Sequence, residues 1–246
     1  MCDQVQAHTS DINDLILIES IDHKPIVVTC GRDRMVQAFK INNVKFELMQ
    51  TLDQHNGSVN KLEVIEQEGT LLLSLSSDRT ILVHKLVQLE TSQALVCVRI
   101  ITLKASPLSC VLDTTDPTLL AVSTTDKQLQ LFHLKTGILE NSIRLTDDED
   151  QITLQDIVLR SIMIEDRPYK LLIGISNSDK TLRIHNAQSG EMLYKVNGHS
   201  ESITSLTVVD EQLMNDGSLI LKLVTTSLDA TVFSLFHPTI SILISC

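Results

Sequence analysis

One short phrase recurs five times along the chain: an apolar run, a tight polar corner carrying an aspartate, and a second apolar run. The first copy reads Val27-Val28-Thr29-Cys30-Gly31-Arg32-Asp33 into Met35-Val36-Gln37-Ala38-Phe39. The second is Leu72-Leu73-Ser74-Leu75-Ser76-Ser77-Asp78 into Thr80-Ile81-Leu82-Val83-His84. The others turn at Asp126, Asp179 and Asp229, and successive corner aspartates are 45, 48, 53 and 50 residues apart. A period of roughly 40 to 50 residues with strand-like content marks an array of β units, none of which can bury its apolar face alone.

Each period contains four strand candidates. They fall at 14–20, 26–30, 35–41 and 46–52, then at 59–65, 71–75, 80–87 and 94–102. The third period gives 108–112, 119–122, 129–134 and 143–145; the fourth gives 153–164, 170–175, 181–186 and 191–196; the fifth gives 203–209, 219–225, 231–236 and 240–244. Gly-containing turns punctuate them at Asn56-Gly57, Glu68-Gly69, Thr136-Gly137, Ser189-Gly190 and Asp216-Gly217. Continuous apolar runs such as 71–73 read as central strands covered on both faces; alternating ones such as 181–184 read as strands with one wet face. The expected class is all-β, in a single domain over 1–246 with units at about 8–55, 56–105, 106–150, 151–199 and 200–246.

Composition narrows the functional classes. The net charge is −11, and nothing gathers Lys and Arg into a nucleic-acid footprint. The 43% apolar content supplies a core, which Val, Ile and Leu must fill because aromatics are 3% and Trp is absent. The five cysteines form no C-x-x-C pair, so a reducing, cytoplasmic setting is expected, with the nucleus left open. The first residues lack a secretory pattern, and no apolar run approaches the ~20 residues of a membrane-spanning helix. The block Asp147-Asp148-Glu149-Asp150 reads as a solvated loop.

Units of this kind, with a small-residue-then-Asp corner between second and third strands, resemble the WD-repeat β-propeller family. The resemblance implies that a histidine before each first strand pairs with the corner aspartate of its own blade. Residue by residue this gives His8 with Asp33, His55 with Asp78 and His199 with Asp229; the third and fourth periods, with Asp126 and Asp179, lack the histidine. The family's Trp-Asp pair is missing. Six residues after each corner stand Phe39, His84, Phe132, His185 and Leu235, and Phe or Leu cannot donate as an indole N–H does. An incomplete hydrogen-bond network is therefore expected. Within the family, the order of phrases such as Ser77-Asp78-Arg79-Thr80-Ile81 and Gly198-His199-Ser200-Glu201 is similar to the second propeller of the mitogen-activated-protein-kinase-binding (JNK-scaffold) WD-repeat proteins. That would set the chain in kinase signalling. Family members usually close with seven blades, so five imply a partial propeller completed by further blades or by a partner chain.

The sequence carries no catalytic motif. Ser, His and Asp occur in every period because the corner uses them, whereas a catalytic triad is unique and has an oxyanion hole. No phosphate-binding glycine motif or metal-ligand spacing occurs, so no enzyme, cofactor or metal is expected. One pattern exceeds a plain solvated turn. A cation follows the corner aspartate in four periods, as Arg34, Arg79, Lys127 and Lys180, and Arg32 adds another. Gathered at one end of a propeller, they would hold acidic or phosphorylated protein segments. The expected function is a non-catalytic protein–protein interaction scaffold, with no nucleic-acid or membrane partner. The alternatives are a structural or substrate-receptor subunit docking through open sheet edges, and a propeller hydrolase, for which no polar cluster unique to one blade is visible.

Overall fold

The computed structural model describes residues 4–19, 21, 24–42, 45–66, 69–90, 92–113, 116–146, 153–164, 167–213 and 219–240. The acidic block at 147–150, the turn at 215–217, Glu68, and Cys2 and Cys246 lie outside them.

The described elements are all strands, and each sheet is a simple antiparallel meander. Blade 1 is β1 (Ile12–Glu19), β2 (Pro25–Gly31), β3 (Val36–Asn42) and β4 (Lys45–Leu52). Blade 2 is β5 (Val59–Glu66), β6 (Thr70–Ser76), β7 (Thr80–Gln88) and β8 (Gln93–Thr102). Blade 3 is β9 (Pro107–Leu112), β10 (Leu119–Thr124), β11 (Gln128–His133) and β12 (Ile138–Arg144). Blade 4 is β13 (Asp156–Ile164), β14 (Arg167–Ser176), β15 (Thr181–Asn186) and β16 (Met192–Asn197). Blade 5 contributes β17 (Ile203–Leu213), β18 (Leu219–Ser227) and β19 (Val232–Ile240). The class is all-β, with blades of the β-propeller kind.

Several strand bounds move by a few residues from the sequence reading, and two of the shifts change a blade's make-up. Strand β12 begins at Ile138, because the Gly137 turn (φ 71°) reverses the chain five residues before the predicted start. Strand β19 runs on through Pro238 to Ile240, so the fifth blade has three described strands; the remainder of the predicted fourth, 241–244, lies outside the described residues.

In blades 1 to 4 the second strand is buried along most of its described length. Leu72, Leu73 and Leu75 of β6 have 0% exposure, and β10 is buried from end to end. A strand with neighbours on both edges and sheets on both faces needs apolar side chains at every position, which is why these segments lack alternation. The outer strands β4, β12 and β16 are half wet.

The chain divides into two compact units. The first contains blades 1 and 2, the second contains blades 4 and 5, and strands of blade 3 are divided between them. In the first unit a core lies between consecutive blades: Val28, Cys30, Val36 and Ala38 of blade 1 meet Val59, Leu62 and Leu72 of blade 2. In the second, Ile173, Ile175, Leu182 and Ile184 of blade 4 meet Ile203, Leu206 and Leu223 of blade 5. Side-chain amides stitch the blades further. Asn177 accepts from the Ile203 N–H at 2.9 Å and donates to its carbonyl at 3.2 Å; Gln50 treats Leu95 in the same way, at 2.8 and 3.0 Å.

Candidate functional site: the aspartate corners

Each corner is a turn whose residue after the aspartate has positive φ: 74° at Arg34, 67° at Arg79 and Lys127, 59° at Lys180 and 62° at Ala230. In blades 1, 2 and 5 its N–H donates to the carbonyl three residues back, at 3.3 Å from Gly31, 3.2 Å from Ser76 and 3.3 Å from Ser227. This is a type I turn followed by a left-handed residue, a common way to join two strands through a short loop. The left-handed region crowds any Cβ and costs roughly 1 kcal/mol or more relative to glycine. No corner uses glycine there.

The aspartate holds the corner to the loop before the first strand. His8 Nδ1 lies 2.9 Å from Asp33 Oδ1, His55 Nδ1 3.1 Å from Asp78 Oδ2, and His199 Nδ1 3.2 Å from Asp229 Oδ2. A carboxylate only accepts, so Nδ1 carries the proton and Nε2 is left to accept. It does so from a hydroxyl on the second strand: Thr29 at 2.9 Å, Ser74 at 2.8 Å and Thr225 at 2.8 Å. Backbone N–H groups complete each carboxylate, with Thr80 and Asn56 donating to Asp78 at 2.9 and 2.8 Å. Burial pushes the Asp78 carboxyl up, but the Thr80 hydroxyl, the Asn56 N–H and His55 outweigh it and hold it below the usual range. At Asp229 the Thr231 hydroxyl leads, and the net direction is again downward. Burial lowers His55 despite Asp78 beside it. Gly57 belongs to this apparatus: a Cβ there would sit 2.6 Å from Ser77 Oγ and 2.8 Å from the Asp78 nitrogen.

Aspartate, histidine and hydroxyl in line have the order of a hydrolase triad. Here the hydroxyl is the sealed end: Ser74 has 0% exposure and Thr29 4%. An acyl group cannot reach a nucleophile buried beneath the next strand, so the line is a tie between loop, corner and sheet. Among the described residues, no group of three or more His, Cys, Asp or Glu is arranged to hold a metal ion.

Blades 3 and 4 do without the histidine. Asp126 accepts from the Thr124 hydroxyl of its own strand. Asp179 is clasped by the Arg183 guanidinium and by Lys195 Nζ at 2.9 Å. Burial raises the Asp179 carboxyl, but Lys195, Thr181 and Arg183 outweigh it and hold it well below the usual carboxylate range. Sequence reasoning missed Arg183 and Lys195. The available signal was an arginine four residues after the corner, where the other periods carry Gln37, Leu82, Gln130 and Phe233.

At the position six residues past the corner, Phe39, Phe132, His84 and His185 are buried, and the Leu235 side chain lies outside the described ones. His84 Nε2 donates to Gln54 Oε1 at 2.9 Å, while its buried Nδ1 has no partner among the described residues. Burial, with His55 second, lowers its pKa to about 4.

The five cations separate into two kinds. Lys180 donates to the Ser200 carbonyl and lies 3.6 Å from Glu201, so the next blade's loop already engages it. Arg32 pairs with Asp11 at 3.8 Å in an exposed contact, worth little in water. Arg34 and Arg79 are exposed, Lys127 is half-buried, and none of the three has a side-chain partner among the described residues.

Comparison with known proteins agrees with this geometry. The family model for "WD domain, G-beta repeat" matches residues 46–85, which hold the blade 2 corner. WD repeat-containing protein 62 of Mus musculus is 20% identical over 203 residues, covering 82% of this chain and 13% of that protein. The Sus scrofa protein of the same name is 21% identical over 203 residues, 82% of this chain and 12% of its own length. The chain thus spans about an eighth of the curated relatives it matches. WD40 repeats in general serve as protein–protein interaction scaffolds and are typically non-catalytic. Blades turning at equivalent aspartate corners, the repeat match and these relatives together make the chain similar to the WD-repeat β-propeller family.

Proposed function

We propose that the chain is a non-catalytic scaffold that holds acidic or phosphorylated protein segments on its corner cations, with Arg34 and Arg79 as the principal contacts. The observation that carries this reading is their backbone. Both stand at positive φ, where glycine would be less costly, and both side chains reach solvent with no partner among the described residues. A guanidinium kept at a strained position and left unpaired is suited to bidentate hydrogen bonds with a carboxylate or phosphate. Lys127 and Arg32 are weaker contributors, and Lys180 acts within the fold. Under this proposal the partner belongs to kinase signalling, as the resemblance to the JNK-scaffold proteins implies. The scaffold is cytoplasmic; Cys30, a buried free thiol, supports a reducing setting.

The test is fluorescence anisotropy with a Glu-rich peptide and its phosphoserine counterpart. The double variant Arg34→Glu/Arg79→Glu should weaken binding at least about tenfold, with the circular dichroism spectrum unchanged. Added salt should weaken the wild-type complex. Equal affinity of wild type and variant would remove the corner cations from the partner surface.

A further inference from the structure

The outermost strand of a blade has one edge without a ladder, and natural proteins guard such edges with charge against pairing with other chains. Three outer strands of this chain follow that rule. β4 exposes Lys45 and Glu47, β12 exposes Glu140 and Arg144, and β16 exposes Lys195. β8 does not. It is the longest of the four, at 10 residues, and its exposed positions are Val96, Val98, Ile100 and Thr102. The three apolar ones are 44%, 47% and 62% exposed. The single charge of the strand, Arg99, is half-buried.

Among the described residues no strand pairs with the far side of β8, but one side chain does what a strand would. Gln50 of blade 1 donates to the Leu95 carbonyl at 3.0 Å and accepts from the Leu95 N–H at 2.8 Å. Its carboxamide thus supplies the donor and the acceptor that a paired residue would supply in an antiparallel ladder. Leu95 therefore turns its backbone groups away from β7, toward the open edge. Alternation turns those of Cys97 the same way, and Gln50 does not reach that far. Further along, the surroundings are apolar. A Cβ on Gly137 would lie 3.1 Å from Arg99 Cδ and 3.5 Å from Ile101 Cγ1, which sets the start of β12 beside the end of β8. Ile138 and Leu139 there are 64% and 42% exposed. These residues and β8 belong to the same compact unit.

We propose that the free edge of β8, from Val96 to Thr102, is a docking site for an extended segment of a partner protein, which adds a fifth strand to blade 2. The segment carries apolar side chains at alternate positions, to meet Val96, Val98 and Ile100, and an acidic residue to meet Arg99. Main-chain hydrogen bonds supply the affinity of such a contact, and the alternate side chains supply its selectivity. A second copy of this chain is a poorer occupant. Each copy carries a net charge of −11, which opposes association, and β8 has no carboxylate to offer Arg99 of the other.

Fluorescence anisotropy tests the site with a labelled peptide as long as the free stretch, in which Val alternates with Thr about one Glu. The wild type should bind it. Val98→Glu/Ile100→Glu, which gives β8 the charge its sister strands carry, should weaken binding at least about tenfold, with the circular dichroism spectrum unchanged. Should that variant unfold, Ile138→Glu on the neighbouring strand should weaken binding in the same direction. The same peptide N-methylated at every residue can donate no ladder bond, and it should also lose at least about tenfold. Arg34→Glu/Arg79→Glu should bind the strand peptide as the wild type does, so the β8 edge and the corner cations stand or fall separately. Absence of binding up to about 1 mM peptide overturns the proposal. So does an N-methylated peptide that binds as well as its parent, since the backbone edge then plays no part. In sedimentation velocity the protein alone should stay monomeric; a dimer that Val98→Glu/Ile100→Glu abolishes would give the edge to a second copy and overturn the assignment to a partner.

Discussion

Blade 2 and blade 4 hold the same corner by different chemistry. In blade 2 the carboxylate of Asp78 faces a neutral imidazole, and His55 passes the contact on to the Ser74 hydroxyl. In blade 4 the place of Ser74 in the register is taken by Gly174, over which Leu154 is packed at 0% exposure. The carboxylate of Asp179 turns instead to Arg183 and Lys195 on its own sheet. The corner is also one residue longer. The pairs Leu75↔Ile81 and Ile175↔Leu182 bracket five and six residues. The requirement is thus a donor set for the aspartate, and either a loop or a sheet can supply it. The two solutions differ in what is left behind when one member is removed, and in how they respond to protons.

The largest difference should follow removal of the aspartate. In Asp179→Ala the Arg183 side chain, 4% exposed, keeps its charge without its counter-ion, which costs about 3 to 4 kcal/mol. In Asp78→Ala a neutral histidine and two backbone N–H groups lose an acceptor, a loss of about 1.5 kcal/mol. Urea unfolding followed by circular dichroism measures both. Equal losses would mean that Lys195 and Thr181 stabilise the orphaned guanidinium as well as Asp179 does.

Acid should separate the blades next. Both shifted histidines of blade 2, His84 and His55, are lowered in the fold by burial. The unfolded chain takes up those protons near the ordinary value of 6.5 while the folded chain resists until about 4 at His84. Stability is therefore full above pH 6.5 and falls as pH drops toward 4, by up to about 3 kcal/mol from His84. The carboxylates add their loss at lower pH, because Asp33, Asp78 and Asp179 are depressed below 3.8 in the fold. The hydrogen-exchange protection factors of the Thr80 and Asn56 amides, both bound to Asp78, should fall between pH 6.5 and 4 more than those in the Asp179 corner. His84→Phe, the side chain that blades 1 and 3 carry there, should flatten the dependence. An unchanged slope would assign it elsewhere.

How much of this was legible in the sequence follows from where each feature is encoded. Corner and strands are local: five aspartates in register with apolar runs specify hairpins within a dozen residues, and the blades appear where the period puts them. The histidine partners lie 23 to 30 residues upstream and became visible through the family resemblance. Arg183 and Lys195 were not visible, because their meeting depends on the register Arg183↔Lys195 between β15 and β16, which spacing alone leaves open.

Gly174 makes the comparison sharper at a smaller cost. A Cβ there would lie 2.7 Å from Leu154 Cδ1, so Gly174→Ser, which would supply the hydroxyl found in blade 2, should lose about 2 kcal/mol by overpacking. Leu154→Ala makes room for it. The double variant should then lose no more than Leu154→Ala alone, a departure from additivity that marks direct contact. Additive losses would separate the two positions.

The smallest effect has the opposite sign. Arg79 stands at φ 67°, a conformation that glycine adopts without steric penalty. Glycine also enlarges the freedom of the unfolded chain, which returns part of the gain. Arg79→Gly should therefore stabilise the protein by about 0.5 kcal/mol, while removing one of the two guanidinium groups proposed to hold the partner. The thermal midpoint would rise by a degree or two as peptide affinity fell. Under the proposed function Arg79 is kept at this position for what its side chain binds, at a small loss of stability. If Arg79→Gly left both midpoint and affinity unchanged, that explanation would fail, and the corner would be a tolerant turn and no more.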